Sequence, residues 1–288
     1  MTRTQATAIG FVAVLLWALL ALFTVGSAPT PPLLLNALCF SIGGSLGVIW
    51  ALVTGEWRAL RRVPMKVFLF GTIGLFGYHA LYFSALRLAP AAEAGLIAYL
   101  WPLLIVLLSG ALPGETLKAG HLFGAFLGFL GAALIIGGGG VGFSAAHLPG
   151  YGLALACAFT WSSYSVMSRR FGDVPTVSVV VFCLATAVLS AVLHLLLEDT
   201  IWPADTMTWA SVLALGLGPV GLAFYVWDIG VKRGDIQLLG TASYAAPLLS
   251  TVALVVAGFA EPTFQLVAAA LLITGGAVLA ARASLKPK

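Results

Sequence analysis

Apolar runs of about 18 to 23 residues, the length that crosses a bilayer, alternate along the chain with short connections rich in charge, proline or glycine. Their spacing predicts ten helices, near residues 6–26, 33–54, 66–88, 93–111, 119–140, 151–168, 176–197, 208–231, 236–257 and 263–282. Several of the polar positions inside these runs are aromatic. Tyr78 and Tyr82 are spaced to share one helical face, with His79 beside them. Tyr99, Trp101 and Pro102 follow in the next run, and such groups are costly against lipid unless they find partners or face a water-accessible cavity.

Composition makes the membrane reading firm. Of 288 residues, 61% are hydrophobic and 8% charged, whereas soluble domains carry roughly a quarter charged residues. The expectation is an all-α integral membrane protein with no separate aqueous domain. The first run resembles a signal peptide, yet the stretch from Ala28 to Pro32 is only a short turn into the next run, so it is read as a retained helix. Cys39, Cys157 and Cys183 lack metal-ligand or disulfide spacing and read as small buried hydrophobes.

Charge sets the expected orientation. With the amino terminus inside, thirteen of the fourteen basic residues fall on the cytoplasmic side: Arg3, Arg58, Arg61, Arg62, Lys66, Lys118, Arg169, Arg170, Lys232, Arg233, Arg282, Lys286 and Lys288. Only Arg87 falls outside. The basic residues thus read as a topology signal, both termini cytoplasmic, and not as a nucleic-acid surface.

Two halves of the chain echo one another. Trp17 pairs with Trp161 at an offset of 144 residues, and Tyr99-x-x-Pro102 recurs as Tyr244-x-x-Pro247 at 145. The latter offset also relates Gly95 to Gly240, Tyr82 to Trp227 and Arg87 to Lys232. Five helices written twice, residues 1–140 and 151–282, predict an inverted repeat, because an odd number of crossings sends the second copy in from the opposite side. Gly43-x-x-x-Gly47, Gly71-x-x-Gly74, and Gly124-x-x-x-Gly128 followed by Gly131 read as close-packing faces.

The candidate chemistry is that of a binding cavity. Pro102 and Pro247 lie inside expected helices and each removes a backbone hydrogen bond, which leaves the carbonyls of Ala98 and Ser243 needing other partners. Tyr78, Tyr82, Tyr99, Trp101, Trp161, Tyr164, Trp227 and Tyr244 offer flat apolar area with hydrogen-bonding tips. Tyr225 belongs to the same set, while Trp50, Trp57, Trp202 and Trp209 lie at helix ends and read as an interfacial belt. His79 is either a proton-linked switch or a neutral wall residue. His194, His121 and His147 read as structural or near loops. Asp228 is read as paired with Lys232 one helical turn on. Glu93 and Glu115 are read as solvated or capping. No phosphate-binding loop, metal-ligand cluster, cofactor motif or nucleophile with a base stands out, so neither an enzyme nor an ATP-driven pump is expected. A cation-drug antiporter would be expected to carry a membrane-embedded carboxylate, and none lies at the centre of either repeat's first helix.

The ten-helix pattern, the opening MTRTQATAIGFVAVLLWALLALF and the YLWP element at Tyr99 to Pro102 resemble the drug/metabolite transporter superfamily, its EamA-like branch. Within it the closest resemblance is to the bacterial inner-membrane exporters of aromatic amino acids. That resemblance implies a basket-like bundle with a central cavity opened alternately to each side to export aromatic and other neutral amino acids; a monomer among membrane lipids is the expected assembly. The family's cavity-lining positions match Tyr78, His79, Tyr82, Tyr99, Trp101 and Trp161 here. An exporter of another metabolite or a drug on the same architecture is the alternative.

Overall fold

The first helix begins at a reciprocal cap. Thr2 Oγ1 accepts from the Gln5 N–H at 3.2 Å while the Thr2 N–H donates back to the Gln5 side chain at 2.9 Å, which satisfies two end donors at once. A computed structural model describes residues 1–137, 142–256, 258, 261 and 263–285, and its described elements are helices and turns. The expected helix ends at 140 and 257, and Lys286 and Lys288, lie outside the described residues.

Several of the apolar runs fold as broken rods. The first is α1 (Arg3–Trp17) and α2 (Leu20–Gly26), followed by α3 (Pro32–Thr54) and α4 (Met65–Leu88). The fourth run divides into α5 (Ala91–Ala98) and α6 (Trp101–Ser109), and α7 (Ala119–Ile136) completes the first half. The second half holds α8 (Leu148–Arg170), α9 (Ser178–Leu197), α10 (Thr206–Leu217) joined through a π turn to α11 (Ala223–Arg233), α12 (Ile236–Ala242), α13 (Ala245–Val256) and α14 (Phe264–Leu285). Pro32 opens α3 where its missing N–H costs nothing. Asp205 caps α10, and its carboxyl is held below the ordinary range by the Thr208 N–H and hydroxyl.

By length and composition, nine spans among the described residues suit a membrane, one fewer than the ten expected. The missing one is α8, which is long enough at 23 residues but not apolar enough. Its polar positions include Trp161, Ser162, Tyr164, Ser165 and Ser168, all buried against other helices. A helix that buries its polar side against protein needs an apolar surface only on its other side, and its mean hydropathy falls accordingly.

Four long pairings organise the bundle: α7 along α14, α3 along α9, α4 along α8 and α1 along α11. Each joins the first half to the second. Small residues set the spacing, as at Gly124, where a Cβ would stand 2.5 Å from the Gly276 carbonyl oxygen. Backbones approach this closely where lipid supplies no hydrophobic drive and packing must do so.

Polar side chains gather at the two ends. At the end bearing the termini, Asp228 pairs with Lys232 at 2.8 Å, as expected, and also accepts from the Thr176 hydroxyl. At the other end Arg87 pairs with Glu198 at 3.5 Å, and Glu198 accepts from the first N–H groups of α3 at Leu33 and Leu34. Glu93 departs from the sequence expectation. It is 5% exposed and accepts from the Tyr151 hydroxyl and the Gly142 N–H. The packing of α5 on α8 drives this, because it turns the first-turn carboxylate of α5 toward a tyrosine far along the chain.

Gly124→Val places branched carbons against the α14 backbone, so the expected outcome is a loss of about 1–3 kcal/mol from overpacking. The loss is checked as an early thermal transition and an aggregated peak on size exclusion in detergent.

Candidate functional site

Breaks in the helices build the site. The first rod is interrupted at Ala18 and Leu19, the fourth at Tyr99 and Leu100, and α10 meets α11 through the π turn Gly218–Leu222. Interruptions of this kind in membrane helices leave backbone groups for functional sites. Residues beside these three breaks line a single cavity of about 160 Å³. Its walls are Trp17 and Leu20, then Tyr78, His79 and Tyr82 of α4, then Ala98, Tyr99 and Trp101. Trp161 of α8 and Pro219, Val220 and Phe224 complete it. None of these side chains carries a fixed charge.

Three of the lining residues belong to a cluster of four indoles, the fourth being Trp227 behind them. All six pairs among Trp17, Trp101, Trp161 and Trp227 have ring centroids 5.1 to 6.3 Å apart, most of them edge to face. This is the spacing aromatic quadrupoles prefer. Two of the indole N–H groups are tied down: Trp17 donates to the Pro219 carbonyl at 3.1 Å and Trp227 to the Ser165 hydroxyl at 3.1 Å. The first bond joins the break in the first rod to the π turn.

One wall is set by α4. Tyr78 and Tyr82 stack with planes 4° apart, and Tyr78 meets Trp161 at 5.6 Å. His79 lies 2.7 Å from the Leu75 carbonyl through Nδ1 and packs edge-on against Phe40. A carbonyl can only accept, so Nδ1 carries the proton and Nε2 is the ring's available nitrogen. This is the geometry of a hydrogen-bonding wall residue.

The ten residues singled out from sequence divide into six that line the cavity and four that stand behind it. Tyr78, His79, Tyr82, Tyr99, Trp101 and Trp161 line it. Tyr164 stacks on the far face of Trp161 at 5.2 Å, and Trp227 supports the other indoles while itself fully buried. Pro102 is buried at the start of α6. Tyr244 is fully buried and its hydroxyl accepts the Leu103 N–H at 3.1 Å, a donor that an unbroken helix would spend on Tyr99. The Ser243 carbonyl, expected to need another partner, accepts from the Ala246 N–H at 3.1 Å because the chain turns tightly between α12 and α13. Tyr225 faces away, donating to the Gly43 carbonyl.

Sequence reasoning missed Trp17, Leu20, Ala98, Pro219, Val220 and Phe224 as lining residues. Trp17 had a signal: it is the repeat partner of Trp161, so a lining role for one implies it for the other. The remaining five are apolar positions in apolar runs, and nothing local marks them.

At the terminal side of the indoles the bundle is shut by charge. Glu115, 5% exposed at its side chain, pairs with Arg3 at 3.1 Å and with Arg169, while Arg3 also reaches Asp235 at 3.3 Å. Arg169 further donates to the carbonyls of Val231, Lys232 and Gly234. Glu115 is therefore neither solvated nor a cap. The start of α1, the α6–α7 connection, the end of α8 and the α11–α12 connection all meet in this cluster. Among the described residues no group of His, Cys, Asp and Glu is placed to hold a metal ion.

Comparison with known proteins is consistent along the whole chain. The model of the EamA-like transporter family matches residues 5–137 and again 148–282. The aromatic amino acid exporter YddG of Ancylobacter novellus is 56% identical, over 97% of this chain and 98% of the relative. The aromatic amino acid exporter YddG of Escherichia coli is 25% identical over 97% of each. A solved crystal structure superposes with a TM-score of 0.94 at 54% identity, covering 99% of this chain and 100% of that one.

Trp17 tests how the floor is held. Trp17→Phe keeps a ring but loses the bond to Pro219, an expected cost of about 0.5–1.5 kcal/mol, whereas Trp17→Ala empties the space at about 3–5 kcal/mol. Melting of the two variants in detergent, with the alanine variant lowest, checks the order.

Proposed function

The chain belongs to the EamA-like transporter family, and on that premise we propose that it exports aromatic and other neutral amino acids across the bacterial inner membrane. The observation that carries this reading is the indole-floored cavity with no fixed charge in its lining. Flat rings receive an apolar or aromatic side chain, and the indole faces attract an ammonium group without a carboxylate. Tyrosine hydroxyls, His79 Nε2 and backbone groups at the helix breaks complete the polar contacts to the amino-acid head. Tyr78, His79, Tyr82, Tyr99, Trp101 and Trp161 form the contacting layer in this reading, and Pro102, Tyr164, Trp227 and Tyr244 hold that layer in place. Two relatives named as aromatic amino acid exporters support the substrate class.

The same reading counts α8 as a tenth span, with residues 1–140 and 151–282 as inverted repeats and both termini cytoplasmic. Two observations support it. The break between Ala98 and Trp101 is repeated between Ala242 and Ala245, an offset of 144. The long pairings also map onto one another: exchanging the halves turns α4 with α8 into α11 with α1 and leaves α3 with α9 and α7 with α14 unchanged. Alternating access follows from an inverted repeat whose halves adopt different conformations. In this reading the charge cluster closes the cytoplasmic end, and the cavity, with Leu20 and Tyr82 in its lining, opens toward the outer one.

Repeat-related tyrosines are used unequally. Tyr244 is buried and bonded to Leu103, while its partner Tyr99 faces the cavity. In the opposite state the two exchange roles, Tyr99 accepting from Leu248. Tyr244→Phe therefore removes a bond particular to the present state, worth about 1 kcal/mol or roughly a fivefold shift. The expected result is slower labelling of a Leu20→Cys reporter by an impermeant maleimide, with Tyr99→Phe moving it the other way.

Counterflow of radiolabelled phenylalanine in proteoliposomes tests the function. Tryptophan and threonine compete, lysine and a cationic dye do not, and Trp101→Ala lowers the rate at least tenfold while Trp202→Ala leaves it unchanged. Competition by the dye without competition by amino acids sends the reading to a drug exporter.

A further inference from the structure

A second cavity opens at the terminal end, away from the indoles. It is a groove of about 540 Å³ between α1 and α14 with α12 as its floor. Ala8, Phe11, Leu239 and Ala281 wall it, and Arg3 and Asp235 stand at its mouth. Its origin is packing. Gly10 draws α1 onto α11, where an added Cβ would stand 2.8 Å from the Gly230 Cα, and Gly120 and Gly124 draw α14 onto α7. The two helices are pulled apart and a wedge remains between them. Exposed Ala8 and Leu285 put the wedge on the bundle's outer surface.

The dimensions suit one leaflet. From Arg3 to Phe11 the groove follows α1 for about 12 Å at 1.5 Å per residue, close to the ~15 Å that is half of a bilayer's hydrocarbon core. The mouth carries both signs. Arg3, with its side chain 52% exposed, meets Glu115 and Asp235 through the same nitrogen, Nη2, so Nη1 and Nε keep donors that neither ion pair uses. Asp235 offers a carboxylate whose oxygens have lone pairs beyond the bonds to Arg3 and the Leu238 N–H.

We propose that this groove binds one inner-leaflet phospholipid with an amine headgroup. An acyl chain lies along the apolar wedge, the phosphate accepts from Arg3 Nη1, and the headgroup ammonium turns toward Asp235. A free amino acid matches the mouth but leaves most of the apolar depth unfilled. The bound phosphate joins the cluster in which Arg3 bridges Glu115 and Asp235, and so braces the closed end of the bundle. The site stands independently of which solute is exported.

Native mass spectrometry of the full chain, with phosphatidylethanolamine, phosphatidylglycerol and phosphatidylcholine each added in detergent, tests the proposal. The expected result is a single phosphatidylethanolamine adduct at least threefold more occupied than either other lipid. Ala8→Phe, an exposed position where the bundle's own packing is untouched, abolishes the adduct, Arg3→Gln lowers it at least threefold, and Arg58→Gln leaves it unchanged. Equal occupancy by the three lipids, or an adduct indifferent to Ala8→Phe, overturns the proposal. Displacement of the lipid by millimolar phenylalanine also overturns it and makes the groove an entry path for solute.

Discussion

The indole cluster is the contact on which the rest depends. Trp17, Trp101, Trp161 and Trp227 come from four different rods, two in each half, and each touches the other three. Rings of this size can meet only if the backbones that carry them yield, and three of the four rods do so at or near the tryptophan. Trp17 ends α1, Trp101 begins α6, and Trp227 follows the π turn into α11. The bond from Trp17 to Pro219 then ties one break to another. What remains above the rings is the cavity, its shape fixed by side chains that pack as tightly as any core.

Below the rings the bundle is closed in two layers. Glycine contacts such as Gly10 against Gly230 bring backbones together, and the Arg3, Glu115, Arg169 and Asp235 cluster seals the end. The opposite end has polar contacts as well, Arg87 with Glu198 and Tyr151 with Glu93, which hold neighbouring helices together. In the proposed reading, the asymmetry between the ends belongs to one state of an exporter built from two related halves. Tyr244 and Tyr99 express it at the level of single hydroxyls.

Much of this was legible in the sequence because membranes impose simple rules. Run length located the helices, the halves of the chain matched at a nearly constant offset, and aromatic residues away from helix ends marked the cavity. Six of the ten selected residues line it for that reason. The others stand one layer back, since periodicity places a residue on a face but does not say how deep the face lies. Glu93 and Glu115 were misread for a related reason: their partners, Tyr151 for one and Arg3 and Arg169 for the other, lie far away in the chain. Phe224 and Val220 were invisible because an apolar cavity wall and an apolar core look alike. The polar composition of α8 carried its own message, that one side of this helix is buried against protein.

The most direct test of the central claim uses the tryptophans as reporters. Replacing Trp50, Trp57, Trp202 and Trp209 with phenylalanine leaves only the four indoles of the cavity floor among the eight tryptophans of the chain. Titration of this protein with phenylalanine is then followed by its emission spectrum. The account predicts a saturable change, reversed by competing leucine and absent with lysine. A spectrum unmoved by any neutral amino acid, in protein that still carries out phenylalanine counterflow, would place the binding site elsewhere and contradict it.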